Sequence, residues 1–554
     1  MTDDRPEMVE TDVLIVGAGP AGLALAVELG MQGRRCLIVE RHDRVGMAPR
    51  AKTTNVRSRE LMRRWGIADR LAAASPFGID YPSNVVFATR LGGRELARFE
   101  NAMYCAPRRD DRYAEHAQWI PQYKVEEVLR SRAVEFDGVD LRMNTSLDDF
   151  RQTDSGVEAV LRDERDGSAF TVRAEYLVGA DGARSTVRER LGIKMDGTSP
   201  LGHYHNIVFR SPGLAERHRL GPAIMYWLVN PDVPSVVAPL DRGDLWTFGC
   251  PLLGNADADP APLIRAALGL DAEIEILSRD VWTAHQLIAT RYGAGRAFLI
   301  GDACHLHPPY GGHGMNMGIA DALDLGWKLA ATLAGWGGPH LLESYEVERR
   351  QVHRRVIDES VINLARSSRA LWRDGLEDEG ARGDAVRAEV AVDILAGKRQ
   401  EFDSLGVVIG SHYEDSPVLL REAADEAPRP EATAYVASAR PGCRAPHAWL
   451  APGTASGASL YDHFAADAMT LLVTRAAAAS GAARVVEAAA ACGVPLRVFA
   501  PEADTLHGLY GADYALVRPD HFVAWRGDSA AHAGAALTLA AGHETQPVVL
   551  ETTA

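Results

Sequence analysis

Three glycines and one carboxylate carry the first chemical signal in this chain. Gly17, Gly19 and Gly22 stand in G-x-G-x-x-G spacing directly after the apolar run 13–16, and Glu40 closes the next apolar run, 36–39. Gly17 permits a tight turn, Gly19 lets backbone approach a pyrophosphate, and Gly22 lets the following helix pack closely on the strand. A helix N-terminus there offers unpaired N–H groups and a partial positive charge to phosphate. A carboxylate at Glu40 accepts hydrogen bonds from a ribose hydroxyl and repels a 2′-phosphate. Strand, triplet, helix, strand and acid in that order point to a dinucleotide containing ADP.

Two further stretches carry polar groups on turns. YLVGADGARSTVRERLGI (176–193) runs a buried strand into a turn with Asp181 and Gly182, then a helix. Asp181 there can hydrogen-bond neighbouring backbone or a ribose. In RAFLIGDACHLHPPYGGHGMNMGIADALDLGWKLA (296–330) a strand ends at Gly301-Asp302, and a helix starts near Met315 after a proline- and glycine-rich turn. A carboxylate at that strand end lies in the usual ligand crevice of a parallel sheet. Cys304, His305, His307 and His313 raise a metal reading, but their spacing matches no common zinc pattern, so no metal is expected.

The elements that must position these groups alternate strand and helix, which gives an α/β class. At 554 residues the chain calls for two or three domains. Its 47% hydrophobic and 24% charged residues match a soluble globular protein, and a formal charge of −16 argues against a nucleic-acid surface. Six scattered cysteines without C-x-x-C fit reduced thiols in a cytoplasm. No apolar stretch is long enough to span a bilayer, and the first residues do not read as a signal peptide.

Along the chain, Arg50 and Lys52 sit in a polar loop before a helix at 57–65, open to a solvated reading or to contact with an anionic ligand. RRDDR (108–112) reads as a solvated loop. Between 200 and 290 strands follow one another without long helices, implying an inserted antiparallel sheet. Its Tyr226, Trp227 and Trp246 are candidate pocket residues, with hydrophobic core as the competing reading. Residues 372–435 are acidic and polar, a linker or excursion, and a small α/β unit follows beyond 438.

Taken together, GAGPAG, GADGARSTVR and GDACHLHPPYGGHGMN resemble the FAD-dependent aromatic hydroxylases typified by p-hydroxybenzoate hydroxylase, over roughly residues 10–365. RPGCRAPHAWL and LVRPDHFVAWR are similar to the thioredoxin-like tail of the phenol-hydroxylase branch. The resemblance implies a Rossmann-like FAD-binding domain (1–75, 106–200 and 291–370) interleaved with an antiparallel-sheet substrate domain (76–105 and 201–290). A helical excursion and linker (371–437) and a thioredoxin-like domain (438–554) complete it, the latter serving a dimer contact rather than catalysis. It implies that FAD is held by Gly17, Gly19, Ala21, Gly22, Glu40, Arg41, Arg50, Gln122, Asp181, Gly301, Asp302, Pro309, Gly314, Met315 and Asn316. Pro309 would lie along the flavin ring, and NAD(P)H would dock transiently.

The implied reaction is hydroxylation of a phenolic or related aromatic by NAD(P)H and O₂ through a C4a-hydroperoxyflavin. The protein's share is to set ring against flavin and keep water out. Lys52 stands where the phenol-hydroxylase branch carries an aspartate, and is expected to stabilise a phenolate or a substrate carboxylate. Competing readings are epoxidation, Baeyer–Villiger oxidation or reduction on the same fold, and a flavin-binding sensor without turnover. Partners are a small aromatic and O₂, no nucleic acid and no membrane, in a homodimer or larger homo-oligomer.

Overall fold

The run TDVLIV is β-branched and apolar on both faces, the pattern of a strand covered on both sides. In the computed structural model, which describes residues 8–43, 51–255, 257–420, 422, 431–450, 458–501 and 506–545, Val13, Leu14 and Ile15 are fully buried at the centre of a sheet. The strand Met8–Val16 pairs in parallel with Cys36–Glu40 on one side and Ala169–Gly179 on the other. Ala297–Leu299 adds beside Ala169–Gly179, and Val139–Met143 beside Cys36–Glu40, both in parallel. The register is level: Val16 lies opposite Val39 and Gly179, and Gly179 opposite Leu299. Gly17, Glu40, Ala180 and Gly301 therefore open onto one crevice at the carboxyl edge of the sheet.

Close packing fixes the helices against that edge. A Cβ on Gly22 would meet the Gly17 carbonyl oxygen at 2.0 Å, so only glycine lets the helix Pro20–Met31 start where it does. The helix Gly314–Leu333 crosses it at small residues, where a Cβ on Gly318 or Gly301 would stand 3.1 or 3.2 Å from the Ala21 Cβ.

The second sheet has eight strands. Met195–Arg210, Leu245–Pro251, Ser235–Pro239 and Met225–Leu228 pair antiparallel in succession, and the long strand Glu275–Ala289 flanks the first of them. Val85–Ala88 joins in parallel to Met225–Leu228, an exception to the antiparallel expectation, and carries Glu95–Phe99 at the outer edge. The opposite edge is the two-residue strand His305–Leu306, part of the turn after Asp302. The two sheets thus share the segment where the candidate chemistry lies.

Of the two readings of the 372–435 stretch, excursion is the one that its helical part, 380–409, takes. The helix Gly380–Phe402 packs on Glu95–Phe99 through Val390, Ile394 and Phe402, and Leu405–Ile409 is a short buried helix. The apolar stripe at every fourth position is broken by Lys398 and Glu401, which sit on the same buried face.

The C-terminal unit has the sheet order Leu496–Phe499, Met469–Val473, Tyr514–Val517, Val523–Gly527, covered by the helices Ala482–Cys492 and Ala533–Ala540. It shares a hydrophobic core with Trp327, Ala331, Val352 and Val356 of the helices Gly314–Leu333 and Glu343–Ala365. RRDDR is the loop expected, exposed at 108, 109, 111 and 112, and its backbone also serves a joint. Arg112 pairs with Asp110, while Trp449 and His447 of the C-terminal unit bond the carbonyls of Asp110 and Asp111. Arg109 lies over the Trp449 ring at 4.4 Å, so the loop meets the C-terminal unit through its backbone and one side chain.

Beneath that joint lies buried charge. Arg518 donates two hydrogen bonds to Glu348 at 2.6 and 2.8 Å and pairs with Asp520, and Lys328 reaches Glu348 and Asp324, each at 2.7 Å. All five side chains are 2% exposed or less. Removing one member of such a pair leaves an uncompensated buried charge, at about 3–5 kcal/mol. Among the described residues no helix is long and apolar enough to cross a membrane. Arg518→Met is expected to lower the unfolding free energy by that order and to loosen the C-terminal unit first, which denaturation with limited proteolysis will read.

Candidate active site

Gly17 adopts a left-handed φ of +105°, and a Cβ there would strike the Ala180 carbonyl oxygen at 2.4 Å. Gly19 is different: its Cβ would meet nothing within 4 Å, so its backbone borders open space at the head of the helix Pro20–Met31. Ala21 packs beneath, against Gly301 and Gly318. Glu40 accepts the Ala18 and His42 amides at 3.0 and 3.1 Å, so its carboxylate also ties down the glycine loop, while Arg41 is exposed beside it. Arg50 lies outside the described residues.

The segment after it is held by Gln122. The Gln122 Oε1 accepts the Ala51 amide at 3.2 Å, and its Nε2 donates to Glu126 at 2.8 Å. The Ile120 amide bonds the Lys52 carbonyl, and Thr53–Thr54 pairs with Gln118–Trp119. Lys52 is half-buried, and its ammonium has no hydrogen-bond or carboxylate partner among the described residues. Burial pushes its pKa down to about 8.

At the second turn Asp181 serves structure. Its carboxylate accepts the Ser185 hydroxyl and the Val187 amide, capping the helix Thr186–Arg190. Burial raises its pKa. The structure offers this carboxylate less to a ligand than to its own helix.

The third turn is the richest. Asp302, half-buried, makes no hydrogen bond or ion pair among the described residues, which leaves its carboxylate open as an acceptor. The neighbouring Gly301 amide donates to Asp321 at 3.0 Å. Asp321 is buried and also accepts from His305 at 2.9 Å, Arg349 at 2.8 Å and His353 at 2.9 Å. The hydrogen bonds from His353 and His305 and the Arg349 guanidinium hold its pKa well below the usual carboxylate range against the opposing effect of burial.

Pro309 starts a turn closed by the Gly312 amide, with Gly311 and Gly312 at φ +87° and +68°. The helix then begins at Gly314, and its first turn leaves the amides of Met315 and Asn316 without an intrahelical acceptor. The Asn316 side chain uses every donor and acceptor it has on neighbours: Nδ2 to the Thr53 and Gly312 carbonyls, and Oδ1 from the Asn55 amide. It locks the Lys52 segment to the turn.

The four possible metal ligands of this stretch do not converge. Cys304 and His305 approach Asp321, but the Cys304 thiol, raised well above its ordinary pKa by burial, donates to the Leu299 and Gly301 carbonyls. His307 and His313 are held neutral by burial, with pKa values down to about 4 and about 3.

Of the three aromatic candidates only Trp227 faces this site. It stacks on Phe87 and lies 5.7 Å from the Tyr310 ring of the turn. Tyr226 and Trp246 point to the opposite face of the sheet, packed with His218 and the helix Ala261–Leu268. Adjacent strand residues alternate faces, so Tyr226 and Trp227 can never share a pocket. On the Trp227 face stand Tyr204 and Trp282, stacked at 4.7 Å, with Tyr204 close to Tyr310. From the next helix Lys398 and Glu401 reach the same turn. Sequence reasoning missed these four and Asp321. The signal for Lys398 and Glu401 was two opposite charges in an apolar stripe.

The crevice fits a flavin dinucleotide on its own chemistry: open space over Gly19, two helix N-termini, and, among the described residues, a free acceptor at Asp302 and amides at 315 and 316 without an intrahelical acceptor. Comparison with known proteins agrees. Residues 10–360 match the FAD binding domain family, and residues 438–543 the aromatic-ring hydroxylase C-terminal family. The chain is 34% identical to aklavinone 12-hydroxylase DnrF of Streptomyces peucetius, over 80% of this chain and 87% of that one. It is 30% identical to 2,4-dichlorophenol 6-monooxygenase of Delftia acidovorans, over 95% and 96%. The structure of RebC with bound 7-carboxy-K252c superposes with a TM-score of 0.89 at 37% identity, covering 97% of this chain and 100% of RebC.

The chain belongs to the FAD-dependent aromatic-ring hydroxylases. Its activity is that of a flavin monooxygenase acting on an aromatic substrate, with NAD(P)H as co-substrate. Asp321→Ala leaves the Gly301 amide, Arg349 and two imidazoles without their acceptor, at about 3 kcal/mol or more. The purified variant is expected to lose most of its FAD, read as the ratio of flavin to protein absorbance.

Proposed function

We propose that this enzyme hydroxylates a phenolic ring of a planar, multi-ring aromatic. The observation that carries the reading is the sheet face around Gly249. Asn206 and Val236 flank Gly249 in register, and a Cβ on Gly249 would meet only the His205 carbonyl oxygen, at 3.8 Å. Gly249, Asn206, Val236, Tyr204 and Trp282 are all half-buried, whereas Trp227 beyond them is sealed. A flat wall with a missing side chain at its centre and stacked aromatics at one end favours a wide ring system over a single ring. Relatives named for aklavinone and for dichlorophenol span both possibilities.

In this reading Gly17, Gly19 and Gly22 carry the dinucleotide phosphates, Glu40 the ribose, and Asp302 the polyol chain. Met315 and Asn316 offer their amides to the flavin edge, and Pro309 lines its ring. Bound FAD, reduced by NAD(P)H, supplies the activated oxygen from O₂. The chain's own residues hold the ring, exclude water and stabilise charge. Lys52, protonated below about pH 8, favours the phenolate and so enriches the ring carbon under attack. A cytoplasmic location accords with six unpaired thiols. A homodimer or larger oligomer belongs to the same reading, and light scattering checks it.

The deciding experiment follows NADH and NADPH oxidation, oxygen uptake and peroxide release with single-ring and multi-ring phenols, then analyses product under ¹⁸O₂. One labelled hydroxyl on a multi-ring phenol with little peroxide is expected; a labelled epoxide or lactone, or an unlabelled reduced product, overturns hydroxylation. Gly249→Val fills the wall at a cost of about 1–3 kcal/mol. The expected result is a KM at least about tenfold higher for the multi-ring substrate, with a simple phenol little affected. Lys52→Met removes a charge-assisted contact, and kcat/KM is expected to fall about 10–100-fold and to lose its limb near pH 8.

A further inference from the structure

The helix Gly380–Phe402 looks at first like a cover for the substrate sheet. Its last turn does more. Lys398 is fully buried, donates to Glu401 at 2.6 Å and to the Asn363 carbonyl at 3.2 Å, and lies 4.2 Å from the Trp227 ring and 5.3 Å from Tyr310. Glu401, 3% exposed, turns its other oxygen to the Gly311 amide at 3.3 Å. Gly311 is the left-handed residue at the centre of the turn between Pro309 and the helix at Gly314.

These contacts close a ring. From Gly311 the turn passes to Gly312, whose carbonyl is bonded by Asn316, and Asn316 holds Thr53. The Thr53 hydroxyl donates to the Met103 sulfur at 3.4 Å. Met103 and its neighbour Tyr104 adopt left-handed φ values of 58° and 63°, as does Asn101 at 50°, so this stretch is strained into place. The Tyr104 hydroxyl bonds Asp403, one residue past the helix that carries Glu401. The circuit ties the turn at Gly311 to the end of the helix whose Lys398 lies on the Trp227 ring.

We propose that Glu401 is a positioning residue: its carboxylate sets the Gly311 turn against the aromatic wall, with Lys398 as counter-charge, and so fixes the distance between flavin and substrate ring. The inference rests on the reading of that wall as the substrate site. A turn that loses its acceptor drifts, and misplaced reacting groups let activated oxygen escape as peroxide. The chemistry the variants alter is one hydrogen bond, so the change is modest and graded.

The test uses two FAD-loaded double variants, because a lone Lys398 left buried would not be tolerated, whereas a buried ion pair replaced by apolar groups often is. Lys398→Met with Glu401→Leu removes both charge and acceptor. Lys398→Met with Glu401→Gln restores an acceptor for Gly311 without the charge. In the leucine form, flavin fluorescence without substrate and peroxide released per NAD(P)H are each expected to rise about fivefold, the equivalent of one lost hydrogen bond. The glutamine form is expected to return most of the way to wild type in both. Wild-type values in the leucine form, or equal changes in both forms, overturn the proposal. If the wild-type enzyme responds to no aromatic, the substrate reading falls, while the fluorescence comparison still decides the role of Glu401.

Discussion

The structure hangs on one buried carboxylate. Asp321 gathers four donors: a backbone amide from the turn at Gly301, an imidazole from the strand after it, and an arginine and a second imidazole from the helix Glu343–Ala365. His353 is neutral, its pKa down to about 3, and its Nδ1 meets the Tyr292 hydroxyl at 2.6 Å. With the Tyr292 hydroxyl donating to Nδ1, Nε2 carries the proton that goes to Asp321. One side chain thereby orders the end of the strand Ala297–Leu299, the start of the strand His305–Leu306 and the packing of two long helices. An acid fully out of water is tolerable only because every lone pair is used.

From that point the geometry of the site follows. Because Gly301 is fixed, Asp302 projects into the crevice at the same level as Gly17 and Glu40, set by the parallel register of the sheet. Because His305–Leu306 is fixed as the edge strand of the second sheet, the turn that follows it springs directly from that edge. The Pro309–Gly312 turn and the aromatic wall are therefore parts of one hydrogen-bonded surface, which a reaction sensitive to ångström-scale placement requires.

Much of this is legible in the chain, and the division has a physical cause. Glycine spacing, strand ends and the acid at 40 are local backbone chemistry, and the crevice they predict is where the register puts them. What could not be read is partnership across the fold. Asp321, Asp324 and Lys328 look like the ordinary polar positions of an amphipathic helix, yet all face inward, because their counter-charges come from residues 348, 349 and 518. Period two shows that Tyr226 and Trp227 face opposite ways, but not which of them meets the flavin turn. RRDDR is the exposed loop its charges suggest, but the contacts of its Asp110 and Asp111 carbonyls with Trp449 and His447 are partnership across the fold that charge alone does not reveal.

The same buried charge explains what a C-terminal unit without a dithiol contributes. Glu348 and Lys328 belong to the FAD-binding portion, but Glu348 is satisfied only when Arg518 arrives from the other side, and Arg518 in turn is shared with Asp520. Asp324, its pKa raised by burial, stands beside them with Lys328 as its counter-charge at 2.7 Å. Asp520 also presents its carbonyl to Arg57 at 2.6 Å, three residues beyond the strand Thr53–Thr54 that Asn316 holds. The unit closes an ionic core whose other end is the flavin turn, and its role is continuous with that of the site.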